Sequence, residues 1–151
     1  MRNAVVVDSV RTGLAKSFRG GFNTTRADDM TAYIVDALID RNPELDPSSV
    51  EDIYLGCGNP EGPQGHNIAR NVAVLSKLPI ETGGVTVNRY CSSGLQTVAM
   101  AATQVQSGFA DCIIAGGVES ISTVQGNTNM HMYVNNKIAE TVPGIYHAMG
   151  T

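Results

Sequence analysis

Short apolar runs alternate with amphipathic stretches along this chain. Ala4 to Val7 is an apolar, β-branched run ended by Asp8, and it predicts a buried strand. Residues 11–25 are polar and carry Gly13, Gly20 and Gly21, which predicts a loop. Thr25 and Asp28 have the spacing of a capping box. Met30, Tyr33, Ile34, Ala37 and Leu38 then recur at helical spacing until Asn42-Pro43 stops the helix. Asp46-Pro47 has the cap and first-turn chemistry of a short second helix. Ile53 to Leu55 predicts a second strand, and the four glycines and two prolines of residues 56–65 predict a loop after it. Asn67 to Ser76 reads as a helix with Ile68, Val72 and Leu75 on one face. Val85 to Val87 is a third strand, and Ser92 to Ser107 a helix closed by Gly108. Residues 111–118, with Ile113 and Ile114, form a fourth strand ending in Gly116-Gly117. Alternation of this kind implies a largely parallel α/β sheet. After Ser120 the chain turns rich in Thr, Asn, Gln and Met, with no acidic residue, Lys or Arg from Ser122 to Asn136, so a domain boundary is placed there.

The helix Ser92 to Ser107 contains no Asp, Glu, Lys or Arg. A surface helix ordinarily carries one charged face, so this pattern predicts a helix sandwiched between layers. Its far-side layer has to come from another part of the protein or from another subunit. The alternative is an exposed helix that relies on Gln and Thr for its polarity.

Composition narrows the classes. The 151 residues are 42% hydrophobic and 16% charged, which excludes a disordered tail. A net charge of −4 and a pI near 5.2 leave no basic field for nucleic acid or an anionic membrane. No apolar stretch approaches the roughly 18 residues of a membrane span, and none resembles a signal peptide. Cys57, Cys91 and Cys112 are odd in number and lack CxxC spacing, against a disulfide framework or a zinc site. The expectation is a soluble, cytoplasmic protein without bound metal.

Cys91 sits directly after the third strand and the turn Asn88-Arg89-Tyr90, at the start of the charge-free helix. Unpaired backbone N–H groups and the positive end of the macrodipole gather at a helix N-terminus. Both favour a thiolate, which is the nucleophilic form. Ser92, Ser93 and Gly94 keep the approach small, and N–H groups of the turn offer sites for a developing oxyanion. An inert buried thiol explains the position equally well on these grounds alone. Cys57 and Cys112 read as inert.

The decapeptide Val87-Asn88-Arg89-Tyr90-Cys91-Ser92-Ser93-Gly94-Leu95-Gln96 resembles the active-site signature of the thiolases. Arg11-Thr12-Gly13 with Lys16-Ser17-Phe18-Arg19-Gly20 resembles the opening loop of that family. Gly65, Asn67 and Ala69-Arg70 resemble the segment before its third strand, and Gly116-Gly117-Val118-Glu119-Ser120 its Gly-Gly-x-Glu-Ser strand end. Tyr146 with Met149-Gly150-Thr151 resembles a loop-domain motif near coenzyme A.

The resemblance implies a layered α/β fold whose N-terminal half holds a mixed, mostly parallel five-stranded sheet with helices on both faces. Residues 1–119 would be a partial N-terminal core domain and residues 120–151 the start of a loop domain, cut within it. It implies acyl transfer through a Cys91 acyl-enzyme, either thiolytic cleavage of a 3-ketoacyl-CoA or condensation of acetyl-CoA, as part of fatty acid metabolism. Coenzyme A and acyl-CoA would be substrates, with no tightly bound cofactor, and His147 and Met149 would contact them. The family's activating His, second Cys and oxyanion residues come from the second half of its chain, so this sequence alone is expected to be inactive. His66 and His131 read as surface histidines. A homodimer or homotetramer is implied. A decarboxylating ketoacyl synthase shares the fold and a cysteine at such a turn, but Asn88-Arg89-Tyr90 and Gly94-Leu95-Gln96 favour a thiolase. A non-catalytic subunit is the alternative from another class.

Overall fold

The computed structural model describes residues 2–150. Three strands, β1 (Asp52–Gly56), β2 (Gly83–Val87) and β3 (Ile113–Gly117), form a parallel sheet in the order β2-β1-β3. Asp52 pairs with Gly83 on one side and Ile113 on the other, and the register holds to Gly56, opposite Val87 and Gly117. Five helices accompany them: α1 (Ala27–Arg41), α2 (Ile68–Leu75), α3 (Ser93–Ser107), α4 (Ile121–Val124) and α5 (Asn136–Thr141). The chain runs from β1 through α2 to β2, then back across β1 through α3 to β3. The two crossovers travel in opposite directions, and a fixed crossover hand puts their helices on opposite faces. No helix among the described residues is long and apolar enough to cross a membrane.

The α1–α2 face is the packed one. Val35 and Ile39 of α1, Ile68, Val72 and Ala73 of α2, and Ile53 and Leu55 of β1 form one buried cluster with Val50 and Leu78. Asn67 caps α2 by accepting from the Arg70 N–H at 3.2 Å. Its amide also donates to Gly84 O at 2.7 Å, tying the helix start to β2. Arg70 donates to Thr82 O and Ile80 O at 2.6 and 2.7 Å and so fixes the approach to β2. At Gly84 a Cβ would lie 2.5 Å from Arg70 N, so only glycine lets α2 settle on the strand.

The α3 face is different. Ser93, Thr97 and Ala101 are its buried residues, whereas Leu95 is 75% exposed and Val98 46%. The charge-free helix therefore lies on the sheet by one side only, and its other side is open in this chain. Thr97, fully buried, donates its hydroxyl to Gly116 O at 2.8 Å. The closest approach is at Gly56, where a Cβ would stand 2.4 Å from Ser93 C and 2.5 Å from Gly94 N.

Three local expectations are corrected. Ala4 to Val7 is not a strand, and Val5, Val6 and Val7 are 77%, 82% and 84% exposed. A run apolar on both faces needs cover on both faces to join a sheet, and nothing here supplies it. The segment is held instead by ion pairs at its ends, Arg2 with Asp111 and Asp8 with Arg41. The sheet among the described residues accordingly has three parallel strands rather than five mixed ones. Thr25 and Asp28 do not form a capping box: Arg26 is the N-cap residue, and the Asp28 carboxylate is taken up by the Arg26 guanidinium and the Asp29 N–H. Asp46-Pro47 opens a single 3-10 turn, Pro47–Ser49, with Asp46 accepting from Ser48 N as cap.

Gly56→Ala should lower stability by about 1–3 kcal/mol or more, because its methyl group meets backbone that has no free end to swing away. Gly94→Ala, with nothing within 4 Å of its Cβ, should be neutral or stabilising. Urea midpoints of the two variants check this, and equal midpoints would remove the close-approach account.

Candidate active site

The crossovers leave the carboxyl ends of β1 and β2 toward opposite faces, and open α/β sheets place ligands in the crevice this creates. Hydrogen bonding continues one residue past the strands: Cys57 N donates to Val87 O and Val118 N to Gly56 O, both at 2.9 Å. Beyond these rungs lies an open cavity of about 480 Å³. Its lining includes Gly56, Gly58 and Asn59 from the end of β1, Tyr90 and Cys91 after β2, Ser93 and Gly94 of α3, and Glu119 after β3.

Cys91 is exposed at this cavity, one residue before the Ser92 N-cap of α3. The turn that presents it is tightly determined. Tyr90 has φ +49°, a left-handed conformation rare for a bulky side chain. It is held there from both sides. Tyr90 N donates to Asn88 Oδ1 at 2.9 Å, and the Ser93 hydroxyl donates to Tyr90 O at 2.5 Å while accepting from Arg89 N at 2.9 Å. Ser92 makes no side-chain cap bond, so the first turn of α3 stays uncovered by it. The N–H groups of Ser92 and Ser93 donate to Arg89 O and Tyr90 O at 3.1 and 3.0 Å. They serve the turn and are not free for an oxyanion.

All three cysteines are free thiols. Cys57 is buried, and burial first, then the nearby Glu119 carboxylate, push its thiol up to about 11. Burial, with Glu51, also raises Cys112. Both shifts keep these thiols protonated near neutral pH. His147 and Met149 are exposed, Met149 at 94%, and neither lines the cavity around Cys91. His66 and His131 are likewise exposed and outside it. Among the described residues no group of three or more His, Cys, Asp and Glu side chains is arranged to hold a metal ion.

The family model described as Thiolase, N-terminal domain, matches residues 4–144. The chain belongs to the thiolase family. A 3-ketoacyl-CoA thiolase of Vibrio vulnificus is 44% identical over 127 residues, covering 84% of this chain and 33% of the relative. One of Vibrio parahaemolyticus is 42% identical over 141 residues, 92% of this chain and 36% of its own. One of Aeromonas salmonicida is 44% identical over 124 residues, 82% and 32%. This thiolase chain thus spans about a third of the length of the curated relatives it matches. The three-stranded parallel sheet with helices on both faces agrees with the family's N-terminal domain.

Sequence reasoning gave no role to Gly58, Gln64 or Glu119, which the fold gathers beside Cys91. Gln64 is completely buried although it lies in a glycine-rich loop, and nothing in its surroundings along the chain signals that. Glu119 carried usable signals: it is an acidic residue directly beyond a strand end, within the Gly-Gly-x-Glu-Ser run that resembles the family's.

Iodoacetamide near neutral pH should alkylate Cys91 at least about tenfold faster than Cys57 or Cys112. With a pKa of about 11, Cys57 is thiolate in only about one molecule in a thousand at pH 8. Peptide mapping over a time course reads the order, and earlier labelling of Cys57 or Cys112 would reverse the assignment.

Proposed function

We propose that the protein carrying this chain is a thiolase in which Cys91 is the acyl carrier. In thiolysis the Cys91 thiolate attacks the 3-keto carbon of a 3-ketoacyl-CoA. The bond between C2 and C3 breaks, and the electron pair leaves on C2, which takes a proton to give acetyl-CoA. The acyl group stays on Cys91 as a thioester until the thiolate of free coenzyme A attacks it and Cys91 departs. A thioester suits both halves, since sulfur is a good nucleophile and a good leaving group. The observation that carries this reading is the exposed Cys91 on its strained turn at the mouth of the crevice, in a decapeptide that matches the family signature. Condensation of acetyl-CoA is the same path reversed.

The remaining catalytic groups are assigned to the part of the protein beyond this chain. Within it no second thiol stands at the cavity, since Cys57 and Cys112 do not line it. The proton for C2, the base for Cys91 and the main oxyanion donors are then supplied from outside. The same remainder would cover the open side of α3. Residues 1–119 form the partial core domain and residues 120–151 open the loop domain. His147 and Met149 are proposed to touch coenzyme A away from the reacting thioester, which accords with their place outside the cavity. A homo-oligomer in the cytoplasm is the setting this reading implies, with no tightly bound cofactor.

The assay is loss of acetoacetyl-CoA in the presence of coenzyme A. Protein expressed from the complete reading frame should turn over, and Cys91→Ala should lower kcat by about 10³-fold or more. The 151 residues alone should show no turnover. Thiolysis by that piece close to the rate of the complete protein would overturn the division of labour. Undiminished activity of Cys91→Ala would overturn the mechanism, and absence of turnover by the parent protein would leave the non-catalytic reading in its place.

A further inference from the structure

The wall of the cavity next to the Cys91 turn is organised around one carboxylate. Glu119 follows β3 directly. Its Oε2 accepts the Gly58 N–H at 2.7 Å, and its Oε1 accepts from the Gln64 side-chain amide. That amide also donates to Asn59 O at 2.6 Å, and Gln64 Oε1 accepts from Ser120 N at 2.8 Å. Both amide hydrogens and the carbonyl oxygen of Gln64 are therefore used, in a residue with no exposed surface. The loop after β1 and the end of β3 meet in this ring of bonds.

Gly58 connects the ring to the nucleophile. A Cβ there would lie 2.8 Å from Glu119 Oε2 and 3.4 Å from Tyr90 O. The space a side chain would take at Gly58 is therefore bounded by the carboxylate and by the carbonyl of the residue that precedes Cys91. Tyr90 O is the same atom that Ser93 grips to hold the left-handed turn. Carboxylate, Gly58 and the Tyr90 carbonyl thus lie together, next to the turn that aims Cys91.

We propose that Glu119 is a positioning residue for acyl transfer: by holding Gly58 and Gln64 on its two oxygens it fixes the cavity wall and the turn that present Cys91 to the substrate. The proposal rests on Cys91 being the acyl carrier. It requires two acceptors side by side, because both partners are donors. Glutamine offers one oxygen and one amide nitrogen, so one contact becomes donor against donor whichever way the amide is turned. Aspartate keeps both oxygens on a stem one methylene shorter.

The test uses the protein from its complete reading frame, with acetoacetyl-CoA and coenzyme A as substrates. Competent sites are counted as moles of iodoacetamide taken up at Cys91. Glu119→Gln should lower kcat per titrated Cys91 by about tenfold or more, as displacements of about 1 Å at reacting groups do, with KM for coenzyme A within about twofold. Glu119→Asp should fall between that variant and the parent. A role confined to folding would reduce the number of titratable thiols and the melting temperature while leaving the rate per thiol unchanged. A rate per thiol within about twofold of the parent in Glu119→Gln, or in Glu119→Asp if the first does not fold, overturns the proposal. Cys91→Ala is run beside them. If it is inactive while Glu119→Gln is normal, only the role of Glu119 falls. If it remains active, the acyl-carrier reading falls, and the Glu119 proposal with it.

Discussion

The site depends on a contact between backbones. The first turn of α3 rests on Gly56, the last residue of the central strand, at a distance where a single methyl group would stand 2.4 Å from Ser93 C. Gly117, on the neighbouring strand, repeats the condition more loosely, its absent Cβ 3.1 Å from Gly56 O and 3.5 Å from Gly94 Cα. Glycine is required at Gly56 for space, not for conformation. The helix N-terminus is thereby brought down over the ends of two strands, and Cys91 is carried to the crevice with it. Ser93 then ties the helix back to the Asn88–Tyr90 turn, so helix and turn move as one body.

The two faces of the sheet solve their packing differently. The α1–α2 face closes within this chain, with Ile53, Ile68 and Val72 fully buried. It uses polar anchors at its edges, Asn67 and Arg70, to set the helix on the strands. The α3 face has no charge to meet water and no layer to meet instead. Leu95 and Val98 remain exposed on it. Phe109, just past α3, and the valines of residues 5–7 are also exposed. An apolar face of this extent is characteristic of a surface meant for cover, and membership of a family whose curated relatives are about three times as long supplies a source for it.

Strain and its support are concentrated at the turn before Cys91. Tyr90 holds a left-handed backbone that bulky residues avoid, and such a conformation persists only where its surroundings over-determine it. Asn88 and Ser93 supply that determination from the two sides of the turn. The Cys91 side chain makes none of these bonds and stays exposed at the cavity.

Much of this was legible in the chain. The β1, β2 and β3 segments, the α2 and α3 helices and the αL glycine at Gly108 follow from local pattern, because period, caps and breakers act within a few residues. The decapeptide that resembles the family signature was equally local, and it pointed to Cys91. Tertiary structure decided what depends on distant partners. Ala4 to Val7 has every local mark of a strand, yet pairing needs a neighbour and two covered faces, and it stays extended and exposed. Thr25 and Asp28 have capping-box spacing, but Asp28 goes to the adjacent guanidinium of Arg26. Gln64 and Glu119 are 55 positions apart, and only the fold joins them beside Cys91. Hydrophobic period and turn chemistry are properties of a segment, whereas a hydrogen-bonded wall is a property of two distant segments meeting at the ends of neighbouring strands.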